Sequence, residues 1–194
     1  MRQALVESYI DRLRASFGKL RNPVAEEELR ALYDAGEYGR MVHHIQTALH
    51  LDLTVRLGLV NSGGPNVPAW IVGAHSLPMY GTAAFRQREV TMYVRKTFLA
   101  EVPFDTVVTA IAHELCHVVL YSTQHPLRYQ EEAVDLTAML LGFRDFYVTG
   151  CRIVRRQQLS QADQLAGYQA YQVSSVGYLT QEEISHAATY MTYR

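Results

Sequence analysis

Between Leu5 and Phe17, apolar residues recur at Leu5, Tyr9, Ile10, Leu13 and Phe17, in steps of three and four that line one face of a helix. Asn22-Pro23 predicts the start of a second helix, with Asn22 as cap, Pro23 in the first turn and Glu26, Glu27 and Glu28 near its positive end. Gly36 and Gly39 punctuate that helix, and a third is expected over Met41 to His50. At Leu51 the period changes to two: Leu53, Val55, Leu57 and Leu59 alternate with Thr54, Arg56 and Gly58, the mark of a half-buried strand. A turn is expected over Asn61-Ser62-Gly63-Gly64-Pro65, followed by strands at Trp70 to Ala74 and Glu89 to Lys96. After Pro103 the helical period returns and runs almost to the end, broken near Gly150 and from Ser174 to Gly177.

The order helices, sheet, helices predicts an α+β fold, a helical bundle around a small sheet of about three strands, antiparallel or mixed. One domain is expected over residues 1–194, with N-terminal helices in 1–50, the sheet in 51–100, catalytic helices in 104–146 and C-terminal helices in 147–194. At 48% hydrophobic and 19% charged residues, the chain is too apolar to be disordered. A net charge of −1 gives no global attraction to nucleic acid or to an anionic membrane. Arg152, Arg155 and Arg156 form a local basic cluster, which reads either as a phosphate contact, with single-stranded DNA as the candidate activator, or as a favourably charged helix end. Charges at Arg2, Glu7, Asp11, Arg12 and Arg14 interrupt any signal-peptide core, and no apolar run approaches the ~20 residues of a membrane span. With Cys116 and Cys151 as its two cysteines, taken as free thiols, a cytoplasmic location is expected.

The candidate chemistry lies at His113-Glu114-Leu115-Cys116-His117, an HExxH motif inside a strongly apolar run. On a helix, residues four apart share a face, so both imidazoles can converge on one ion while Glu114 stands beside them as a general base for an activated water. Zinc suits imidazole and carboxylate donors and leaves a coordination position open. The pattern alone is unspecific. Its setting adds weight, because two histidines and a glutamate buried in an apolar helix need partners to offset their desolvation.

A third ligand is required. The metzincin pattern needs glycine at 120 and histidine at 123, where this chain has Leu120 and Thr123. The alternative is a carboxylate on the next helix, and the segment from Gln130 to Leu141 supplies Glu131, with Asp135 one turn on as acceptor for the second N–H of a ligand histidine. Glu132 and His125 compete with Glu131 for the ligand role.

The pairing of HELCH with EEAVDLTAMLLGF resembles the gluzincin-type zinc metallopeptidases, and among them the ImmA/IrrE-like family, in which HExxH is coupled to a glutamate four residues before an Asn or Asp. Within that group the chain is similar to the CapP-like peptidases of CBASS antiphage defence. The resemblance covers about residues 85 to 146 and implies a zincin-like minimal metallopeptidase. It also implies cleavage of a regulatory protein, a helix-turn-helix repressor of a stress or phage-defence operon. The strand-like REVTMYVRK fits that group's cleft-bordering edge strand. Thirteen residues separate His117 from Glu131, a shorter gap than many members have, and the chain shows no DNA-binding domain of its own, so the repressor is expected to be a separate protein.

Other residues stay open at this level. Cys116 and Cys151 are each either an inhibitory or fourth zinc ligand or a small buried hydrophobe. Tyr121, Tyr129, Tyr178, His186 and Tyr190 are candidates to stabilise an oxyanion, with no basis for choosing among them. The strand Val90 to Arg95 is the candidate edge for an extended substrate. Against the enzyme stands a zinc-stabilised sensor or binding module, which would have no use for Glu114.

Overall fold

The computed structural model describes residues 2–62, 67–156, 171–175 and 177–193, with the backbone alone described for 152–156 and 171–175. Helices α1 (Arg2–Phe17), α2 (Glu26–Asp34) and α3 (Tyr38–Ala48) come first. Strands β1 (Thr54–Val60), β2 (Ala69–Val72) and β3 (Glu89–Arg95) follow, with the short helix α4 (Ala83–Arg86) before β3. The rest is mainly helical: α5 (Lys96–Glu101), α6 (Phe104–Ser122), α7 (Glu131–Ala138), a π-helical turn (Met139–Phe143), α8 (Arg144–Gly150) and α9 (Gln181–Tyr193). The expected α+β class holds, with a mixed three-stranded sheet.

The sheet order is β1-β3-β2, with β1 parallel and β2 antiparallel to β3. This corrects the expectation that Val90 to Arg95 forms an open edge. Alternating Val90, Met92 and Val94 into the core makes β3 the centre, hydrogen-bonded on both sides, and leaves β2 at the margin.

The strand expected over Trp70 to Ala74 spans Ala69–Val72, the helix expected over Met41 to His50 spans Tyr38–Ala48, and larger differences lie elsewhere. Asn22-Pro23 does not start α2, which begins at Glu26, because the Arg21 and Val24 amides on either side donate to the Leu140 and Gly142 carbonyls and Ala25 is extended. Gly142 makes this approach possible: it has φ +109, and a Cβ there would meet the Asn22 carbonyl at 2.7 Å. In the C-terminal part, a two-stranded antiparallel ribbon, β4 (Arg152–Arg156) with β5 (Tyr171–Ser175), takes the place of part of the helices expected over 147–194. β-branched Ile153-Val154 and Val173 favour extended backbone there. The side chains of Arg152, Arg155 and Arg156, and residues 63–66 of the expected turn, lie outside the described residues.

The core surrounds α6, of whose 19 residues fifteen are buried. Among the described residues α6 is the one helix long and apolar enough to cross a bilayer, but 78% of its apolar window is buried in the protein, so its hydrophobic surface is already consumed by packing. Gln124, in left-handed conformation at φ 51, ends α6: the Gln124 and His125 amides turn back to the Tyr121 and Leu120 carbonyls. That reversal sends α7 back across the exposed strip of α6.

Candidate metal centre

A helix buried on nearly all sides has little surface for chemistry. Beyond its first turn, the incompletely buried residues of α6 are Glu114, His117 and Tyr121, one stripe at steps of three and four. His113, beside that stripe, is 7% exposed. The two imidazoles meet at a ring separation of 5.0 Å and an angle of 85°.

α7 brings Glu131 over both rings. Its Oε2 lies 3.4 Å from His113 Nε2 and 3.4 Å from His117 Nε2. This oxygen is buried, and neither contact has hydrogen-bond geometry, so among the described residues it has no hydrogen-bond partner. A cation lying between the three groups would give this oxygen the close partner it lacks. A tetrahedral ion with ligand distances of ~2.0–2.1 Å has ligand-to-ligand edges of about 3.3–3.4 Å, which the two separations match. The three donor atoms lie within 4.8 Å of one another, and the group could hold a metal ion.

Asp135, one turn after Glu131 and 0% exposed, supports His113 from behind. Its Oδ1 lies 2.8 Å from His113 Nδ1 and accepts from the Tyr147 hydroxyl at 3.1 Å, while Oδ2 accepts from the Tyr178 and Leu179 amides at 2.6 and 3.2 Å. With Nδ1–H donated to Asp135, the other ring proton sits on the side of Glu131, and its removal would leave the Nε2 lone pair facing the ion position. Gly177 permits the second half of this arrangement. It sits at φ +92, and a Cβ would come within 2.9 Å of Asp135 Oδ2. His117 has no equivalent support: its Nδ1 is buried without a partner among the described residues.

Electrostatics follow from this packing. Burial pushes the His113 imidazole down, but Asp135 and Glu131 together outweigh it and raise it to about 10. The neighbouring His113 and His117 hold the Glu131 carboxyl well below the usual carboxylate range. Burial raises Glu114, against the opposing pull of His113, His117 and a hydrogen bond from the Ile71 backbone. A carboxyl raised toward neutrality is a better proton acceptor for catalysis than a fully solvated one. Because a cation must displace the proton on His113, zinc affinity is expected to rise by roughly tenfold per pH unit from pH 7 toward the His113 value, with one proton released per ion. Calorimetric titration in buffers of different ionisation enthalpy measures this; a pH-independent affinity would contradict it.

The competing candidates lie elsewhere. Glu132 points to α1, with Arg2 3.8 Å away. His125 is buried against Phe17, its Nδ1 accepting from the Leu127 amide, and burial lowers its pKa. Neither cysteine belongs to the group: Cys116 is sealed in the core, where burial pushes its thiol up, and Cys151 donates to Gln181 Oε1 at 2.9 Å. His186 contacts Glu7, and Tyr190 donates to Asp11, so both tie α9 to α1. Tyr121 stacks on His117 and Tyr178 on His113, with Tyr129 packed on Tyr121.

A cleft of about 260 Å³ opens beside His113 and Glu114, walled by Val67, Pro68, Ala69 and Trp70 on the β2 side, Ala110 on α6, and Gly177 and Tyr178. The Arg95 amide donates to the Pro68 carbonyl, so Trp70 and Val72 are the β2 residues bonded to β3 by the antiparallel alternation, while Ala69 and Ile71 turn their amides and carbonyls outward. Sequence reasoning missed Tyr147, Gly177, the Tyr178-Leu179 amides and the role of β2. Only the glycine carried a local signal. Comparison of the chain with protein-family models, curated proteins and solved structures finds no match.

Proposed function

We propose that this chain is a zinc-dependent endopeptidase that cleaves an extended segment of a specific regulatory protein. The observation that carries the reading is the conjunction of a buried Glu131 oxygen, 3.4 Å from each of two imidazoles and without a hydrogen bond among the described residues, with Glu114 on the adjoining cleft. A binding module has use for the three ligands but none for a half-buried carboxylate raised toward neutrality beside them.

His113, His117 and Glu131 would hold the ion, which supplies a Lewis acid for the scissile carbonyl and an activated water. Glu114 accepts the proton of the attacking water and delivers it to the leaving amine nitrogen. Asp135 keeps His113 in the tautomer that leaves Nε2 free. On β2, the outward-facing Ala69 and Ile71 backbone groups are available to pair with a substrate backbone as an added strand, close to Glu114. The apolar walls of the cleft favour an apolar side chain next to the scissile bond.

The family resemblance of the HELCH and EEAVD segments nominates a separate helix-turn-helix repressor as substrate and the cytoplasm as the site of action. The test is to incubate the purified protein with the helix-turn-helix protein encoded beside it. Cleavage at one bond, lost with a chelator and restored by zinc, is expected; zinc-loaded protein that leaves that partner and a broad peptide library intact would sink the reading.

A further inference from the structure

We propose that the Tyr178 hydroxyl donates the hydrogen bond that stabilises the oxyanion formed on the scissile carbonyl, an assignment that rests on the peptidase reading above. When water adds to the amide carbon, the carbonyl π electrons move to oxygen, and that oxygen needs a donor close by. When the tetrahedral species collapses, those electrons return, the C–N bond breaks and the amine leaves with the proton that Glu114 carried. Tyr178 keeps its own proton throughout.

Three observations single out this tyrosine among thirteen. Its ring is stacked on His113 at 5.7 Å and 23°, and it forms one wall of the cleft that contains Glu114. Its backbone is anchored to the same Asp135 that orients His113, through the Tyr178 and Leu179 amides and the left-handed turn at Gly177, so the position of the ring relative to the ligands does not depend on the hydroxyl. The side chain is nevertheless 57% exposed, and among the described residues its hydroxyl has no hydrogen-bond partner. A large aromatic with its backbone anchored at a cleft, a hydroxyl that no described residue engages and most of its surface in solvent is placed for a ligand rather than for the core. The rivals lack this combination. Tyr147 is buried and committed to Asp135, and Tyr121 lies over His117, packed between His75 and Tyr129, outside the wall that Glu114 shares.

The test compares wild type with Tyr178→Phe, both zinc-loaded, on a quenched fluorescent peptide selected by wild type from a library, and on the phosphinic peptide of the same sequence, whose tetrahedral anionic oxygen mimics the oxyanion. Tyr178→Phe is expected to lower kcat by about 100- to 1,000-fold, to leave KM within about threefold, and to weaken the phosphinic peptide by a similar factor as kcat. Zinc content and melting temperature should stay at wild-type values, because every contact of the Tyr178 backbone survives. A crystal structure of the phosphinic complex should place the hydroxyl at about 2.5–3.0 Å from the phosphinyl oxygen. Unchanged kcat and unchanged phosphinic affinity overturn the assignment, as does a loss that appears in Tyr121→Phe instead. Wild type that binds the phosphinic peptide no better than its amide parent overturns the peptidase reading itself, a result distinct from failure of Tyr178 alone.

Discussion

Glu114→Gln is expected to retain one zinc per chain and to lose about a hundredfold to ten-thousandfold in turnover, the usual share of a positioned proton acceptor. The substitution is nearly isosteric and leaves His113, His117 and Glu131 untouched, so the ion remains and the fold is unchanged. What disappears is the oxygen assigned above to accept the water proton. The amide nitrogen of glutamine accepts none, and its hydrogens compete with the Ile71 amide that faces the native carboxylate. Metal analysis alongside single-turnover cleavage separates this outcome from loss of the ion. Cleavage of the native partner at the wild-type rate would remove Glu114 from the mechanism.

Asp135→Asn should weaken zinc binding by about 10- to 100-fold, as removal of a ligand's supporting acceptor does elsewhere. The physical reason is a count of donors. Asp135 accepts from His113 and the Tyr147 hydroxyl on one oxygen and from two backbone amides on the other. An asparagine offers one oxygen. Turned toward the Tyr178 and Leu179 amides, it points its NH2 at His113 Nδ1, which must then become the acceptor and move its proton to Nε2, where the ion would bind. Turned the other way, it sets NH2 against two amide donors in a fully buried site, a mismatch of about 1–3 kcal/mol. Both orientations damage the site, so affinity and melting temperature fall together. Competition with a chromophoric chelator measures the first and thermal unfolding of the metal-free protein the second. Wild-type zinc affinity in this variant would contradict the role given to Asp135.

The parts of this site that sequence could reveal are local. His113, Glu114 and His117 sit within two turns of one helix, and Glu131 and Asp135 are one turn apart on another, so a period of 3.6 residues alone puts each set on a shared face. The three strands were visible because their side chains alternate. Their order was not, since a two-residue period says which face is buried but nothing of which strand lies between the others; β3 and β2 therefore exchanged roles. The Tyr178 and Leu179 amides reach Asp135 across more than forty residues, through a turn marked by nothing more than one glycine. The start of α2 was misread because Asn22-Pro23 is a valid helix opening locally, and only the distant carbonyls of Leu140 and Gly142, which take the amides on either side, keep it out of the helix.

The heavy burial of α6 has a further consequence for how an ion would be acquired. Hydrophobic collapse fixes the register of that helix, and so the two imidazoles are brought to a common point by the folding of the chain itself. Little backbone entropy is then left to be lost on capture, in contrast to small metal-folded modules, whose ligands gather only around the metal. Preorganisation of this kind lets the protein exist fully assembled before it is charged, so that supply of the metal, rather than refolding, would govern when it becomes active.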